Sequence, residues 1–172
     1  MKKCAVILLA ALLLTGCGPQ KTLETVNDVQ AQPAVVSAQQ VLVDLPVDAA
    51  APVMETEEGK LYICGEAVIC LQTRPAGDLE KTVKSACGFT ADQLDMLQTT
   101  WGHTRRYDFV WTAAEEAGEQ ACRGCILDDG AYHYILTATA PAAQAGQLQS
   151  AWREMFNSFH LVSAQMELNT GS

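Results

Sequence analysis

All eleven aromatic residues of this 172-residue chain lie between Tyr62 and Phe159, and this confinement limits where the chain can fold. Aromatic side chains bury large apolar areas and dominate protein cores, so the core has to form inside that stretch. Residues 60–162 have the length of one small domain. We therefore predict a single folded domain over 60–162, followed by a flexible C-terminal tail over 163–172.

The stretch before the first aromatic residue has a different composition. It contains four prolines among Gln, Ala, Val and Asp, and it offers little large apolar surface to offset the entropy of ordering it. This composition predicts a disordered tether over residues 17–59. The alternative is that the aliphatic run Val41-Leu42-Val43 forms a short strand against the domain.

The N-terminus carries a targeting signal. Lys2 and Lys3 precede ten consecutive apolar residues, Ala5 to Leu14, a run too short to span a bilayer and typical of the hydrophobic region of a signal peptide. The next residues, Leu14-Thr15-Gly16-Cys17, resemble the lipobox of bacterial lipoproteins. That resemblance implies cleavage after residue 16 and attachment of lipid, with acyl chains such as palmitate, to Cys17. Two acyl chains anchor a protein durably, whereas one binds only marginally.

These features predict a signal peptide over residues 1–16 and an extracytoplasmic protein that Cys17 anchors to the bacterial cell membrane. The alternatives are an ordinary secretory leader with a chance cysteine, or an uncleaved anchor. Loss of Lys2 and Lys3 with the leader moves the formal net charge from −9 to −11. Such an acidic chain lacks the surplus of Lys and Arg that nucleic-acid binding requires, so we expect no nucleic-acid partner.

Within the domain the pattern of residues predicts a mixed order of strands and helices. Residues 61–74 predict two strands joined at Gly65-Glu66, and Asp78 is placed to cap a helix that Gly88 ends. A second short helix is expected from Ala91 to about Leu97, because Thr90 and Gln93 form a capping-box pattern. Three antiparallel strands follow, two of them joined at the turn Asp129-Gly130. A final helix places Leu148, Trp152, Met155 and Phe159 on one face.

This order predicts an α+β fold, a two-layer domain in which an antiparallel sheet packs against two main helices. The strand Tyr132-His133-Tyr134-Ile135-Leu136-Thr137 and the closing Trp152…Met155-Phe156-Asn157-Ser158-Phe159 resemble the PsbP-like fold, over about residues 60–162. That fold includes extrinsic photosystem subunits and many small bacterial lipoproteins. The resemblance implies a binding or accessory domain with no catalytic residue, and it does not account for the many cysteines of this chain.

Five cysteines remain after the leader and the lipidated residue are set aside: Cys64, Cys70, Cys87, Cys122 and Cys125. An odd number cannot form a complete disulfide framework within one monomer. Cys122 and Cys125 have the spacing of a redox pair, but they fall in a predicted strand, where positions i and i+3 point to opposite faces about 10 Å apart at ~3.3 Å per residue. Cys64 and Cys70 flank a turn, so a disulfide across that hairpin is a further hypothesis.

No other residue pattern predicts catalysis, a metal or a cofactor. The sequence lacks the nucleophile-elbow, zinc-protease and phosphate-loop motifs, and the histidines and cysteines lack zinc spacing. Tyr107, Phe109 and Trp111 share one strand face, which favours a core position over a ligand groove. We therefore expect a non-enzymatic binding or accessory domain that assists another protein of the envelope. The alternatives are a thiol-disulfide protein that uses Cys122 and Cys125, and a lipoprotein that captures a small ligand.

Overall fold

The computed structural model describes residues 37–49, 51–116 and 118–162. The two helices are α1 (Leu79–Cys87) and α2 (Ala145–Ser158), and single turns of 3-10 helix lie at Ala91–Gln93 and Ala142–Gln144. The strands are β1 (Val41–Leu42), β2 (Met54–Thr56), β3 (Gly59–Cys64), β4 (Ala67–Pro75), β5 (Met96–Trp101), β6 (Thr104–Glu115), β7 (Gly118–Asp128), β8 (Tyr132–Pro141) and β9 (His160–Leu161).

Seven strands form one sheet in the order β2-β3-β4-β8-β7-β6-β5, and every neighbouring pair is antiparallel. The predicted hairpins at Gly65-Glu66 and Asp129-Gly130 are present, and both turn glycines have positive φ. The short helix expected over residues 91–97 is a single 3-10 turn, after which Met96–Trp101 pairs with β6 as a strand. The α+β class, with an antiparallel sheet and two helices, is confirmed.

The two helices cover opposite faces of the sheet. Val83 of α1 packs with Ile126 and Ile135, whereas Met155 and Phe156 of α2 pack with the flanking positions in the same strands, Cys125, Leu127, Tyr134 and Leu136. Successive side chains of a strand point to opposite faces, so the alternation assigns each helix to one face. The two layers expected from the sequence are therefore three, because β7 and β8 are apolar on both faces. We call these faces the α1 face and the α2 face.

The domain begins earlier than predicted. Strand β1 pairs with β9, β2 pairs with β3, Ala49 is buried, and Val41, Val43 and Leu45 pack against the core of the α2 face. The tether prediction is therefore wrong for the described residues from 37 to 59, and the alternative strand at Val41–Leu42 is present. Small aliphatic side chains suffice here because they cover a core that other segments supply. The signal peptide, Cys17, the rest of the tether and the tail over 163–172 lie outside the described residues.

Hydrogen bonds fix the start of this segment to the β7–β8 turn. The Gln39 N–H donates to the Tyr134 hydroxyl at 2.8 Å, and its side-chain amide donates to Asp129 Oδ2 at 2.8 Å. Asp129 also accepts from the Tyr134 hydroxyl and from the N–H groups of Ala131 and Tyr132. Burial opposes ionisation of Asp129, but these donors outweigh it and lower its pKa. An ionised Asp129 therefore joins the turn to the N-terminal segment.

Candidate functional site

A groove with a volume of about 730 Å³ lies on the α2 face, beside the N-terminal half of α2. It forms because α2 covers the centre of the sheet and leaves part of β6 uncovered. We call it the β6–α2 groove. Its volume falls within the range of small-molecule sites. It is lined by Asp95, by Asp108, Phe109, Val110, Trp111 and Thr112 of β6, by Ala121, Cys122 and Arg123 of β7, and by Ala145, Gly146, Gln149 and Trp152 of α2.

The groove has an apolar body. Val110 is 59% exposed on its floor, and the buried Trp152 contributes to the wall from α2. At Gly146 a Cβ atom would meet no heavy atom within 4 Å, so the wall is open there. These features leave room for an apolar group between the helix and the strand.

One end of the groove is built around a buried guanidinium. Arg106 donates from Nε and Nη2 to the two carboxylate oxygens of Asp108, at 2.6 and 2.8 Å. The same guanidinium donates to the carbonyl oxygens of Phe156 and Phe159, at 2.8 and 3.1 Å. The last carbonyls of a helix lack partners within the helix and carry partial negative charge, so a cation is favoured there. Arg106 therefore fixes the C-terminal end of α2 to β6.

Arg123 lies next to this ion pair and is oriented differently. Its Cζ is 4.4 Å from the centroid of the Phe156 ring, a cation–π contact, and its Nη2 is 3.7 Å from Asp108 Oδ1. That distance is too long for a hydrogen bond, and Asp108 already accepts two short bonds from Arg106. Arg123 is also partly exposed, so it presents a weakly compensated positive charge at the apolar groove. This arrangement suits a ligand with an apolar body and an anionic group.

A second polar cluster lies beneath α1. His133 Nδ1 is 2.8 Å from Thr82 Oγ1, and His133 Nε2 is 3.7 Å from Asp128 Oδ2, which accepts from Arg105 at 2.6 Å. The order Thr–His–Asp is that of a hydrolase triad, but Thr82 is 5% exposed and His133 is 1% exposed. Burial lowers the pKa of His133, and Asp128 opposes this only in part. A neutral imidazole closed off from solvent holds α1 to the sheet and offers no nucleophile to a substrate.

The register of the sheet separates both cysteine pairs. Cys122 pairs with Trp111 and Thr139, whereas Cys125 packs in the core of the α2 face, so their side chains lie on opposite faces. In the β3–β4 hairpin, Cys64 lies opposite Ala67, and Cys70 lies opposite Leu61. This corrects the hypothesis that Cys64 and Cys70 face each other, because side chains that differ in parity across this register point to opposite faces. All five cysteines of the described residues are free thiols.

The thiols are also poorly activated. Burial raises the pKa of Cys64 to about 11, and burial raises the pKa values of Cys70, Cys122 and Cys125. A thiolate is the reactive form of cysteine, so these shifts disfavour thiol exchange at neutral pH. The described residues hold no group of three or more His, Cys, Asp or Glu side chains placed to bind a metal ion. Neither helix within them is long and apolar enough to cross a membrane.

Sequence patterns found the core but missed the groove. Tyr107 and Phe109 are buried against α1, which confirms their predicted core position. Val110 and Asp108, on the opposite face of the same strand, line the groove, and Phe109 and the partly buried Trp111 also border it. The one available signal was Val110, a β-branched apolar residue on the strand face that otherwise carries Arg106 and Asp108.

No protein-family model matches the chain, and no curated protein is similar to it in sequence. Solved structures of similar fold include PA94, CyanoP and LpqN. PA94, a protein of unknown function from Pseudomonas aeruginosa, is 13% identical, with a TM-score of 0.46 over 77% of this chain and 90% of its own. Cyanobacterial PsbP (CyanoP) from Synechocystis sp. PCC 6803 is 11% identical, with a TM-score of 0.47 over 75% and 96%.

The third is LpqN, which is involved in cell envelope biogenesis of Mycobacterium tuberculosis. It is 11% identical, with a TM-score of 0.48 over 73% of this chain and 85% of its own. CyanoP is a PsbP protein, the kind of protein that the motifs around Tyr132 and Phe159 resemble, and its similarity to this chain is one of fold alone. None of these similarities assigns an activity or a ligand to this chain.

Proposed function

We propose that this chain is an extracytoplasmic bacterial lipoprotein, anchored to the cell membrane through lipid on Cys17, whose domain is a non-enzymatic binding module of the envelope. The anchor is supported by the leader, in which a short apolar run ends at Leu14-Thr15-Gly16-Cys17. The binding role rests on one observation, the β6–α2 groove with Arg123 at its polar end.

Among the binding roles considered, the groove favours ligand capture, in which a lipoprotein holds a small molecule at the membrane surface. Val110 and Trp152 supply apolar contact, and the Arg123 guanidinium supplies a donor fork that suits a carboxylate or phosphate. We therefore propose a small amphipathic anion as the ligand class. An accessory role toward another envelope protein is compatible with this binding, since the ligand-filled groove and the partner need not share a surface.

Ligand capture is tested with decanoate as the probe and the tryptophan fluorescence of the full chain as the signal. Arg123→Gln should weaken decanoate binding by about tenfold, which corresponds to about 1.4 kcal/mol. Val110→Asp should weaken it further, because a carboxylate next to Arg123 would then replace an apolar contact and repel the anionic ligand. Arg105→Gln is the matched control, since Arg105 is also a partly exposed arginine but lies on β6 and on the α1 face, and it should bind as the wild type does. Equal affinity in all four proteins, or no binding, contradicts the proposal.

The anchor is tested separately by growth with a labelled fatty acid. Wild-type protein and Cys4→Ser should both carry the label and sediment with membranes, because Cys4 is expected to leave with the leader. Cys17→Ser should carry none. Mass spectrometry of the N-terminal peptide then identifies the modified residue. An unmodified sulfur at position 17, or an intact Met1 in the mature protein, contradicts the lipoprotein assignment.

A further inference from the structure

The two edges of the sheet are built differently. Strand β2 at one edge has three residues, and its Glu55 forms an ion pair with Lys60 of β3 at 2.8 Å. Strand β5 at the other edge has six residues, Met96–Trp101, with no charged residue and no proline. Its register with β6 runs without a bulge. Charges, prolines, bulges and short length are the usual means of preventing edge-to-edge pairing, and β5 uses none of them.

Strand β5 also presents large apolar side chains to solvent. Leu97 is 64% exposed and Trp101 is 67% exposed. Both lie on the α2 face, because Leu97 pairs with Asp108 and Trp101 pairs with Thr104. Two exposed apolar residues separated by four positions on one edge strand indicate a surface that is covered in use.

The free backbone groups of this edge follow from the β5–β6 turn. Two residues, Gly102 and His103, separate the paired Trp101 and Thr104, so these two close the hairpin as a hydrogen-bonded pair. The N–H and C=O groups of residues 97, 99 and 101 therefore point toward β6. Those of Gln98 and Thr100 point outward, where no strand pairs with them among the residues that the structure describes.

We propose that β5 pairs antiparallel with β5 of a second copy of this chain, with the two-fold axis at Thr99. Gln98 then exchanges both backbone hydrogen bonds with Thr100 of the second copy. Leu97 lies directly opposite Trp101 of the second copy in a pair without hydrogen bonds, the type in which side chains approach most closely. Two seven-stranded sheets become one continuous sheet.

Self-complementarity identifies a second copy as the occupant. One register satisfies the outward backbone groups and also sets each exposed Leu97 against a Trp101, which an isologous interface requires. The same register places Asp95 across from His103 of the second copy, so an acid meets an imidazole at each end. The chain carries a net charge of −9, yet β5 itself brings no like charges together. Salt should therefore strengthen the dimer by screening repulsion between the rest of the two copies.

Sedimentation of the full-length protein in detergent tests the dimer. Wild type should show a concentration-dependent dimer. Leu97→Lys should raise its dissociation constant by about tenfold or more, because lysine on an edge strand blocks pairing. Thr100→Pro is a second variant that tests the same pairing, because it removes an outward N–H at an edge position that tolerates proline. Met54→Lys on β2 is the matched control and should leave the dimer unchanged, and far-UV circular dichroism checks that each variant is folded.

Cross-linking tests the register. Diamide oxidises two thiols to a disulfide and takes up their two hydrogens and two electrons on its N=N bond. Thr99→Cys should give a cross-linked dimer readily, since the two-fold axis brings the two sulfurs together. Gln98→Cys is more exposed but lies opposite Thr100 of the second copy, so it should cross-link less. Wild type reports the background from the native cysteines.

Three outcomes overturn the proposal. The first is a monomer at every concentration, which would leave the edge to a strand from a different protein. The second is equal weakening of the dimer by Leu97→Lys and Met54→Lys. The third is faster cross-linking at position 98 than at position 99, as random collision predicts.

Discussion

The two faces of the sheet solve the burial of polar groups in different ways. On the α1 face, a neutral His133 and the Thr82 hydroxyl form a buried polar contact between helix and sheet. On the α2 face, the charged Arg106 joins β6 to the last carbonyls of α2. The α1 face is closed over Phe109, whereas the α2 face leaves Val110 of the same strand in an open groove.

This difference shows why the α2 face carries the candidate site. The contact of His133 with Thr82 is closed off from solvent, and the core residues around it on the α1 face are buried. A guanidinium paired with one carboxylate fixes the helix while leaving a second guanidinium, Arg123, beside an apolar cavity. The following predictions test the contrast between the faces, in order of expected effect.

The largest effect is expected at Arg106. Arg106→Met should lower the free energy of unfolding by about 3–5 kcal/mol, because it leaves the Asp108 carboxylate and two helix carbonyls without their partner. Arg105→Met, the neighbouring arginine on the α1 face, should cost about 1 kcal/mol or less because Arg105 is half exposed and the buried Asp128 keeps the hydrogen bond from the Gly130 N–H. Urea denaturation measures both values. Similar losses at the two positions would show that the α2 face does not depend on a buried charge.

The next effect tests the neutral contact of the α1 face. Thr82→Val should cost about 1–3 kcal/mol, because it leaves His133 Nδ1 buried without a hydrogen-bond partner. Thr112→Val, on the exposed floor of the groove, should change stability by less than about 0.5 kcal/mol. Thermal denaturation followed by circular dichroism compares them. Unchanged stability of the Thr82→Val variant would mean that this contact does not hold α1.

Two glycines should respond with opposite signs. A Cβ at Gly124 would lie 2.5 Å from two ring carbons of Phe109, so Gly124→Ala should cost about 1–3 kcal/mol through overpacking on the α1 face. At Gly146 on the groove wall a Cβ meets nothing, and Gly146→Ala should stabilise α2 by up to about 1 kcal/mol. Chemical denaturation measures the free energy of unfolding of both variants. Destabilisation of equal size at both sites would contradict the described packing.

The smallest effect is a pH dependence. Burial lowers the pKa of His133 in the folded state below its ordinary value of 6.5. At pH values between these two pKa values, the unfolded chain therefore binds more protons than the folded chain. The contribution of His133 to stability is therefore complete above about pH 6.5 and is lost as the pH falls toward the lowered pKa of the folded state. Midpoints of urea unfolding between pH 7.5 and 5 should fall for wild type, and the fall should be smaller for His133→Gln. The exposed His103 and His160 remain in both proteins.

Local signals in the sequence predicted much of this fold. Asp78 accepts from the Glu80 N–H as the expected helix cap, and the spacing of Trp152 and Met155 correctly predicted their burial. The tether prediction is wrong for the described residues over 37–59 because their short aliphatic side chains pack against a core that other segments form. The helix predicted from Ala91 to about Leu97 is wrong for another reason, because the capping box of Thr90 and Gln93 forms only a single turn and Met96–Trp101 then pairs with β6 as a strand.

The candidate site could not be predicted from local signals. Its residues come from β6, β7 and α2, and they meet only because β8 inserts between β4 and β7 and carries α2 across the sheet. Arg106 and Arg123 look alike in the sequence. Only their contacts in the fold distinguish the buried Arg106, which holds α2, from the partly exposed Arg123, which lines the groove. Strand alternation did predict that Cys122 and Cys125 point to opposite faces, because that property depends on the strand alone.

The attachment of α2 at one end has a mechanical consequence. Arg106 fastens the helix at Phe156 and Phe159, while at the other end Gln144 directs its side-chain amide to Glu66 rather than to the first amides of the helix. The hydrogen bonds of Arg106 therefore hold α2 to β6 at the C-terminal end of the helix. A ligand in the groove would therefore contact the N-terminal half of α2, away from the contacts of Arg106 with Phe156 and Phe159.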